Sequence, residues 1–263
     1  MKWTREHTLI ALNLYCKLPF GNFDKGNPLI KEVAAKMGRS ASSLAMKLSN
    51  LASFDPVLAA RGIKGLVGAS RQDREMWDEF HARLDELAPE SEELLHDLFT
   101  SDETKEVDFL QRDRVRLEPA QRTAPSGPTE TLSMTKIRRG QQFFRQSILN
   151  AYGVCCCVSG IAVPRFLVAS HIRPWGAFPA DRLDPRNGLC LSSLHDAAFD
   201  AGLIALDEQY RVLLSPSLTK HFSQPALAQN FAPYKAQAIR LPEKLSEPSL
   251  EFLRYHRETI FKA

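Results

Sequence analysis

Along the first half of the chain apolar residues recur every three to four positions, and in the second half several short runs are apolar throughout. The first spacing marks amphipathic helices and the second marks buried strands. In residues 3–16, Leu9, Leu12 and Tyr15 share a face behind Thr4, a suitable N-cap; this predicts a helix that ends at the Pro19-Phe20-Gly21-Asn22 break. Residues 28–37 open on Pro28 and set Ile30, Val33, Ala34 and Met37 on one side, with Gly38 placed for a left-handed exit. Ser40 caps a third helix over 41–51, which turns Leu44, Leu48 and Leu51 inward. A fourth is expected from about Ser70 through Leu84 and Leu87 to Pro89.

Beyond Pro89 the pattern weakens. Residues 90–108 are acidic and 119–131 are rich in Pro, Ser, Thr and Gly, which reads as a linker with some helix in its first half. Periodicity returns in residues 135–150, a helix anchored by Phe143, Phe144, Ile148 and Leu149. Residues 163–172 read as a strand that ends in His171 before Pro174, and 188–191 as a second strand. Ser192 or Ser193 caps a helix that holds His195 to Ala201 and stops at Gly202, and 203–206 with 211–214 form a hairpin. The expected class is α+β: a helical domain over 1–88, a linker over 89–131 and a second domain over 132–263 built on a strand-strand-helix unit.

Composition narrows the function. The 263 residues are 44% hydrophobic and 25% charged, ordinary for a globular protein. A net charge of +3 permits a nucleic-acid partner without requiring one. The start lacks a signal-peptide apolar core, and no apolar run approaches the roughly 18 residues of a membrane span. A cytoplasmic protein without membrane contact is expected. The five cysteines (Cys16, Cys155, Cys156, Cys157, Cys190) are odd in number and three are adjacent, so they read as free or buried thiols rather than a disulfide framework or a zinc site.

Helix, glycine turn and helix over 28–51 is the layout of a helix-turn-helix, whose second helix enters the major groove of DNA. Arg39, Ser42, Ser43, Lys47 and Asn50 would then face phosphates and base edges. The same layout also fits a helical hairpin that only builds a core. Arg138 and Arg139 belong to the densest basic cluster of the second half, and they and Arg173 are candidate phosphate contacts, or else a solvated basic face.

The candidate chemistry lies in three pieces: Ser170-His171-Ile172-Arg173-Pro174-Trp175, Asn187-Gly188-Leu189-Cys190-Leu191 and His195-Asp196-Ala197-Ala198-Phe199-Asp200. Their order and spacing resemble the HNH endonucleases, in particular the bacterial restriction-type subgroup, from about Cys157 to Leu214. The N-terminal block resembles segments preceding such nucleases more loosely. The resemblance implies a ββα-metal fold, insertion at the DNA minor groove and metal-dependent hydrolysis of DNA. By position His171 is the general base, suited by an imidazole pKa near 6.5, with Asn187 the positioning residue and His195 the third motif residue. Asp196 and Asp200 stand one helical turn apart and, with His195, form the expected ligand set for one divalent ion, Mg²⁺ or Mn²⁺ foremost, Ni²⁺ or Zn²⁺ through the imidazole. The chain departs from the family in two ways. Ser170 stands where many relatives place an Asp or His ligand before the base. The third histidine is eight residues after Asn187, and Asp196 takes the ninth place. A DNA endonuclease of restriction or phage-defence type is expected, a homodimer being the simplest way to cut both strands. Ser170 favours the alternative, a non-catalytic DNA-binding regulator on the same scaffold. An RNA-directed or toxin nuclease is the third reading, without an RNA-recognition aromatic pattern to support it.

Overall fold

The computed structural model describes every residue except Met1, Lys64, Val67, 111–113, 120–130 and 243–246, and for 131–134 the backbone only. The chain is α+β and divides into two units, residues 1–150 and 151–263. Residues 120–130, most of the expected Pro- and Ser-rich linker, lie outside the described residues.

The first unit opens with α1 (Arg5–Lys17), which Thr4 caps through the His7 amide. Helices α2 (Pro28–Lys36) and α3 (Ala41–Ala52) follow, capped by Asn27 and Ser40, with Gly38 at φ +66° in the turn. Leu44, Leu48 and Leu51 are buried, as their spacing requires. The short α4 (Pro56–Ala60) leads to α5 (Arg71–Ala82), which begins with a capping box of Ser70 and Asp73.

The fourth expected helix does not run unbroken. It stops at Arg83, whose φ of −126° is not helical, and α6 (Leu84–Phe99) starts afresh. Pro89 therefore falls in the second turn of a new helix, where it removes one backbone bond and ends nothing. The acidic stretch expected as linker is this buried helix. It packs on α1, and Glu92 meets Lys17 in an ion pair with both side chains inaccessible. Residues 105–119, read without strands from the sequence, form the antiparallel pair β1 (Lys105–Asp108) and β2 (Arg116–Pro119). Helix α7 (Thr131–Ala151) closes the unit. Its Phe143 meets Phe80 edge-on, and Gln142 and Gln146 donate to the Val107 carbonyl. These contacts explain why the division falls after Asn150 and not before Leu132.

The second unit is built on β3 (Leu167–His171) and β4 (Gly188–Ser192), antiparallel with His171 opposite Gly188 and Leu167 opposite Ser192. The first strand is shorter than its apolar run, because Pro164–Phe166 forms a 3-10 turn closed by Phe166 onto Val163. Helix α8 (Ser193–Asp200) follows β4 without a loop, capped by Ser192. Gly202 ends it at φ +68°, and a Cβ there would lie 2.0 Å from the Ile260 carbonyl oxygen, so only glycine fits. The hairpin β5 (Ile204–Leu206) and β6 (Val212–Leu214) comes next, then α9 (Pro216–Thr219), α10 (Pro225–Phe231) and α11 (Leu250–Thr259). Helix α11 packs on β5, and its His256 stacks flat on Phe199 of α8, with ring centroids 3.7 Å apart. Cys155, Cys156, Cys157 and Cys190 are buried free thiols, and Cys16 is a half-buried one. Among the described residues no helix is long and apolar enough to cross a membrane.

Candidate active site

His171 is the last residue of β3, half-buried, with its ring edge-on to Trp175 at 5.3 Å. Nε2 lies 2.9 Å from the Arg182 carbonyl oxygen. A carbonyl only accepts, so Nε2 carries the hydrogen and Nδ1 is the lone-pair nitrogen of the neutral ring. Burial holds the pKa below the ordinary histidine value, and the bond to Arg182 offsets part of that.

Asn187 is fully buried at the end of the 3-10 turn that leads into β4, and it grips the loop between the strands. Its Oδ1 accepts the Arg173 amide at 2.8 Å, and its Nδ2 donates to the carbonyls of Arg173 (3.2 Å) and Asp181 (3.1 Å). Arg173 ties the same loop to α11. Its guanidinium bonds Asp181 at 3.0 Å and Glu251 at 2.7 Å and lies over the Phe178 and Phe252 rings. Arg182 donates to the Trp175 carbonyl and stacks on that ring. The loop that carries the Arg182 carbonyl is thus fixed by an amide, two guanidiniums and three aromatic rings.

Helix α8 separates its candidate ligands. His195 turns into the interior, 1% exposed, with Nδ1 2.7 Å from Ser192 Oγ, Nε2 3.1 Å from the Asn230 carbonyl, and the ring against Phe231 and Tyr234. Both ring nitrogens of His195 are engaged by protein groups in the interior. Cys156 lies beside it. Burial pushes that thiol up, but hydrogen bonds from His195 and Ser159 outweigh burial and bring it to about 6. Nothing in the local sequence marks Cys156 among its neighbours. Asp196 is half-buried and Asp200 exposed, one turn apart on the other face. Burial raises both carboxyls, and the charge of Asp196 raises Asp200 further. Ser170 faces Asp196 and offsets part of its shift, although its Oγ is buried and makes no hydrogen bond of normal length. Sequence reasoning took Ser170 only as a departure from the family pattern; it adds a hydroxyl to the two carboxylates. No cation pairs with Asp196 or Asp200 among the described residues. Two such carboxylates and an orphaned hydroxyl are hard oxygen donors and fit a Mg²⁺- or Mn²⁺-sized cation with water or phosphate completing its shell. No group of three His, Cys, Asp or Glu side chains converges there or elsewhere among the described residues.

The expected DNA contacts fare differently. Arg139 is 1% exposed and paired with Glu93 and Glu103, and Arg138 with Glu103 and Glu106; both are structural ion pairs rather than phosphate contacts. The acidic residues that claim them come from α6, β1 and the turn between the two, within the stretch that the sequence presented as linker. Lys47 is buried against Asp73, and Arg173 is consumed by its loop. Arg39 remains half-buried over Trp3, and Ser43 half-exposed on α3.

Residues 156–207, about a fifth of the chain, match the family model described as HNH endonuclease. The match spans β3, the clamped loop, β4 and α8 and contains His171, Asn187, His195, Asp196 and Asp200. The second unit therefore carries an HNH endonuclease-type domain, which associates the chain with nuclease activity in general. No curated protein matches the chain at a significant level.

Proposed function

We propose that the chain is a divalent-metal-dependent DNA endonuclease of restriction or phage-defence type, acting in the cytoplasm where invading DNA arrives. The observation that carries this reading is the tautomer of His171, set by the bond to the Arg182 carbonyl inside the matched segment. A neutral imidazole with Nδ1 as its basic nitrogen takes a proton from a water placed against a phosphate. Burial keeps the ring neutral at physiological pH. Asn187 and Arg173 act one step back, holding the loop that holds the base. Asp196 and Asp200, with Ser170 behind them, would hold the cation, which when bound neutralises charge on the scissile phosphate and its leaving oxygen. His195 supports this face from the interior. A homodimer would bring two such sites to a duplex.

Incubating purified chain with supercoiled plasmid in Mg²⁺, Mn²⁺ or EDTA tests the reading. We expect metal-dependent nicking or linearisation, reduced at least about a hundredfold in His171→Ala, the usual contribution of a general base. Equal cleavage by that variant would remove His171 from the role. Ser170, which offers a hydroxyl where a carboxylate or imidazole ligand would precede the base, favours one second reading, a DNA-binding regulator on the same scaffold. Calorimetric titration with Mn²⁺ separates the two: no heat of binding, with DNA still bound, supports the regulator.

A further inference from the structure

The face of α3 expected to read DNA does not stand free. Ser43, Met46 and Asn50 line a cleft of about 360 Å³ together with Trp3, from the segment before α1, and Gln72, from the first turn of α5. Lys47 lies in the same lining but is spent on Asp73. Trp3 is held in place by two cations, Arg39 at 4.0 Å and Lys47 at 4.5 Å from the ring centroid. This geometry bears on what α3 can touch. A helix that reads a duplex lies in the major groove and must protrude. With Trp3 on one side and the start of α5 on the other, the polar side chains of α3 line an open recess wide enough for a single group to enter.

The lining states the chemistry of that group. Asn50 and Gln72 each offer an amide with donor and acceptor side by side, the pattern that pairs with base edges. Met46, 58% exposed on an otherwise amphipathic helix, adds a polarizable apolar surface. Lys2 is exposed at the same cleft and supplies a cation for a phosphate. The volume lies within the range of small-ligand sites. We propose that this cleft binds one unstacked nucleotide, so that the first unit recognises a base extruded from a duplex or presented by a single strand. The proposal rests on reading the chain as acting on DNA.

Fluorescence anisotropy of the full chain in EDTA tests it without cleavage. The labelled probes are a short matched duplex, the same duplex with one central mismatch, and its single strand. Extruding a mispaired base costs less than extruding a paired one. The mismatched duplex and single strand should therefore bind at least about tenfold more tightly than the matched duplex. Asn50→Ala and Gln72→Ala, which remove the amides without adding charge, should each abolish the preference. Competition by free deoxynucleoside monophosphates would identify a soluble nucleotide as the source, and its absence, with the preference present, a nucleic-acid strand. Equal affinity for all three probes, or a preference untouched in both variants, overturns the proposal. A chain that cuts plasmid yet binds the three probes equally loses only the cleft assignment, and one that shows the preference but never cuts loses only the nuclease reading.

Discussion

Replacing Asn187 tests whether this residue acts as a clamp or as a ligand. Its side chain is fully buried and makes three hydrogen bonds, one accepted from the Arg173 amide and two donated to the carbonyls of Arg173 and Asp181. At about 1 kcal/mol net each, Asn187→Ala forfeits at most about 3 kcal/mol; water entering the emptied space offsets part, so we expect about 2 kcal/mol. Asn187→Asp is the sharper perturbation. The carboxylate keeps the acceptor for Arg173 but sets an anionic oxygen against two carbonyls in a site without solvent. It should destabilise the fold at least as much as alanine does, despite being isosteric. If Asn187 instead offered its oxygen to a cation, the carboxylate would bind that cation as well or better. Urea unfolding gives the stability, amide exchange over residues 172–187 reports the loop, and Mn²⁺ calorimetry reports the cation. An N187D protein with natural stability and natural loop protection would refute the clamp.

Other expectations follow from the same contacts. Burial first, and the neighbouring Arg257 charge, hold His256 at about 4 despite its bond to the Phe199 carbonyl, so protonation favours the unfolded chain. Its contribution is complete above about pH 6.5 and is lost as pH falls towards 4, a change of about 3 kcal/mol. His256→Gln should flatten urea-midpoint dependence between pH 7 and 4.5, and an unchanged slope would remove His256 from the account. Lys17→Met leaves Glu92 buried with only the Asn13 amide and should cost about 3–5 kcal/mol, whereas adding Glu92→Leu should recover more than half; thermal unfolding of both decides. Arg173→Lys keeps the charge but cannot reach Asp181 and Glu251 at once, so stability should fall by about 1–2 kcal/mol while the salt dependence of DNA binding stays as it was. A changed salt slope would return Arg173 to the DNA-binding surface. Asp196→Asn with Asp200→Asn should abolish Mn²⁺ heat in calorimetry and leave the fold intact, whereas His195→Gln should lower stability first; the reverse outcome would restore His195 as a ligand.

The elements with local causes were legible in the sequence. Thr4, Ser40, Ser70 and Ser192 cap the helices they precede, Pro28 opens α2, and Gly202 ends α8 at positive φ. What stayed hidden depends on distant partners. A Glu-rich run looks solvated until α1 supplies Lys17 and α7 supplies Arg139, and only then do α6 and β1 become interior. Arg138, Arg139, Lys47 and Arg173 looked like DNA contacts for the same reason: the sequence displays a cation and conceals the carboxylate that meets it. The His171, Asn187 and α8 frame was visible as an order of residues. The carbonyl of Arg182, which sets the tautomer of His171, has no sequence signature, since any residue at that point of the loop offers one.

The division of labour on α8 was written in its periodicity, and the family spacing obscured it. Residues four apart share a helical face, and adjacent ones lie about 100° apart. His195 is four from Phe199, an apolar residue that the core claims and that stacks on His256. Asp196 is four from Asp200, and within α8 neither has an apolar neighbour at that distance to draw it inward. Ser192 strengthens the choice, because the cap takes the His195 amide and meets the same residue's ring, turning the imidazole back towards the start of the helix. A histidine one place earlier than the family spacing is thereby rotated off the face that looks towards Ser170, and the carboxylate in the ninth place is rotated onto it. Ser170 then stands beside the carboxylate of this face, where its small neutral hydroxyl offsets part of the rise that burial gives Asp196.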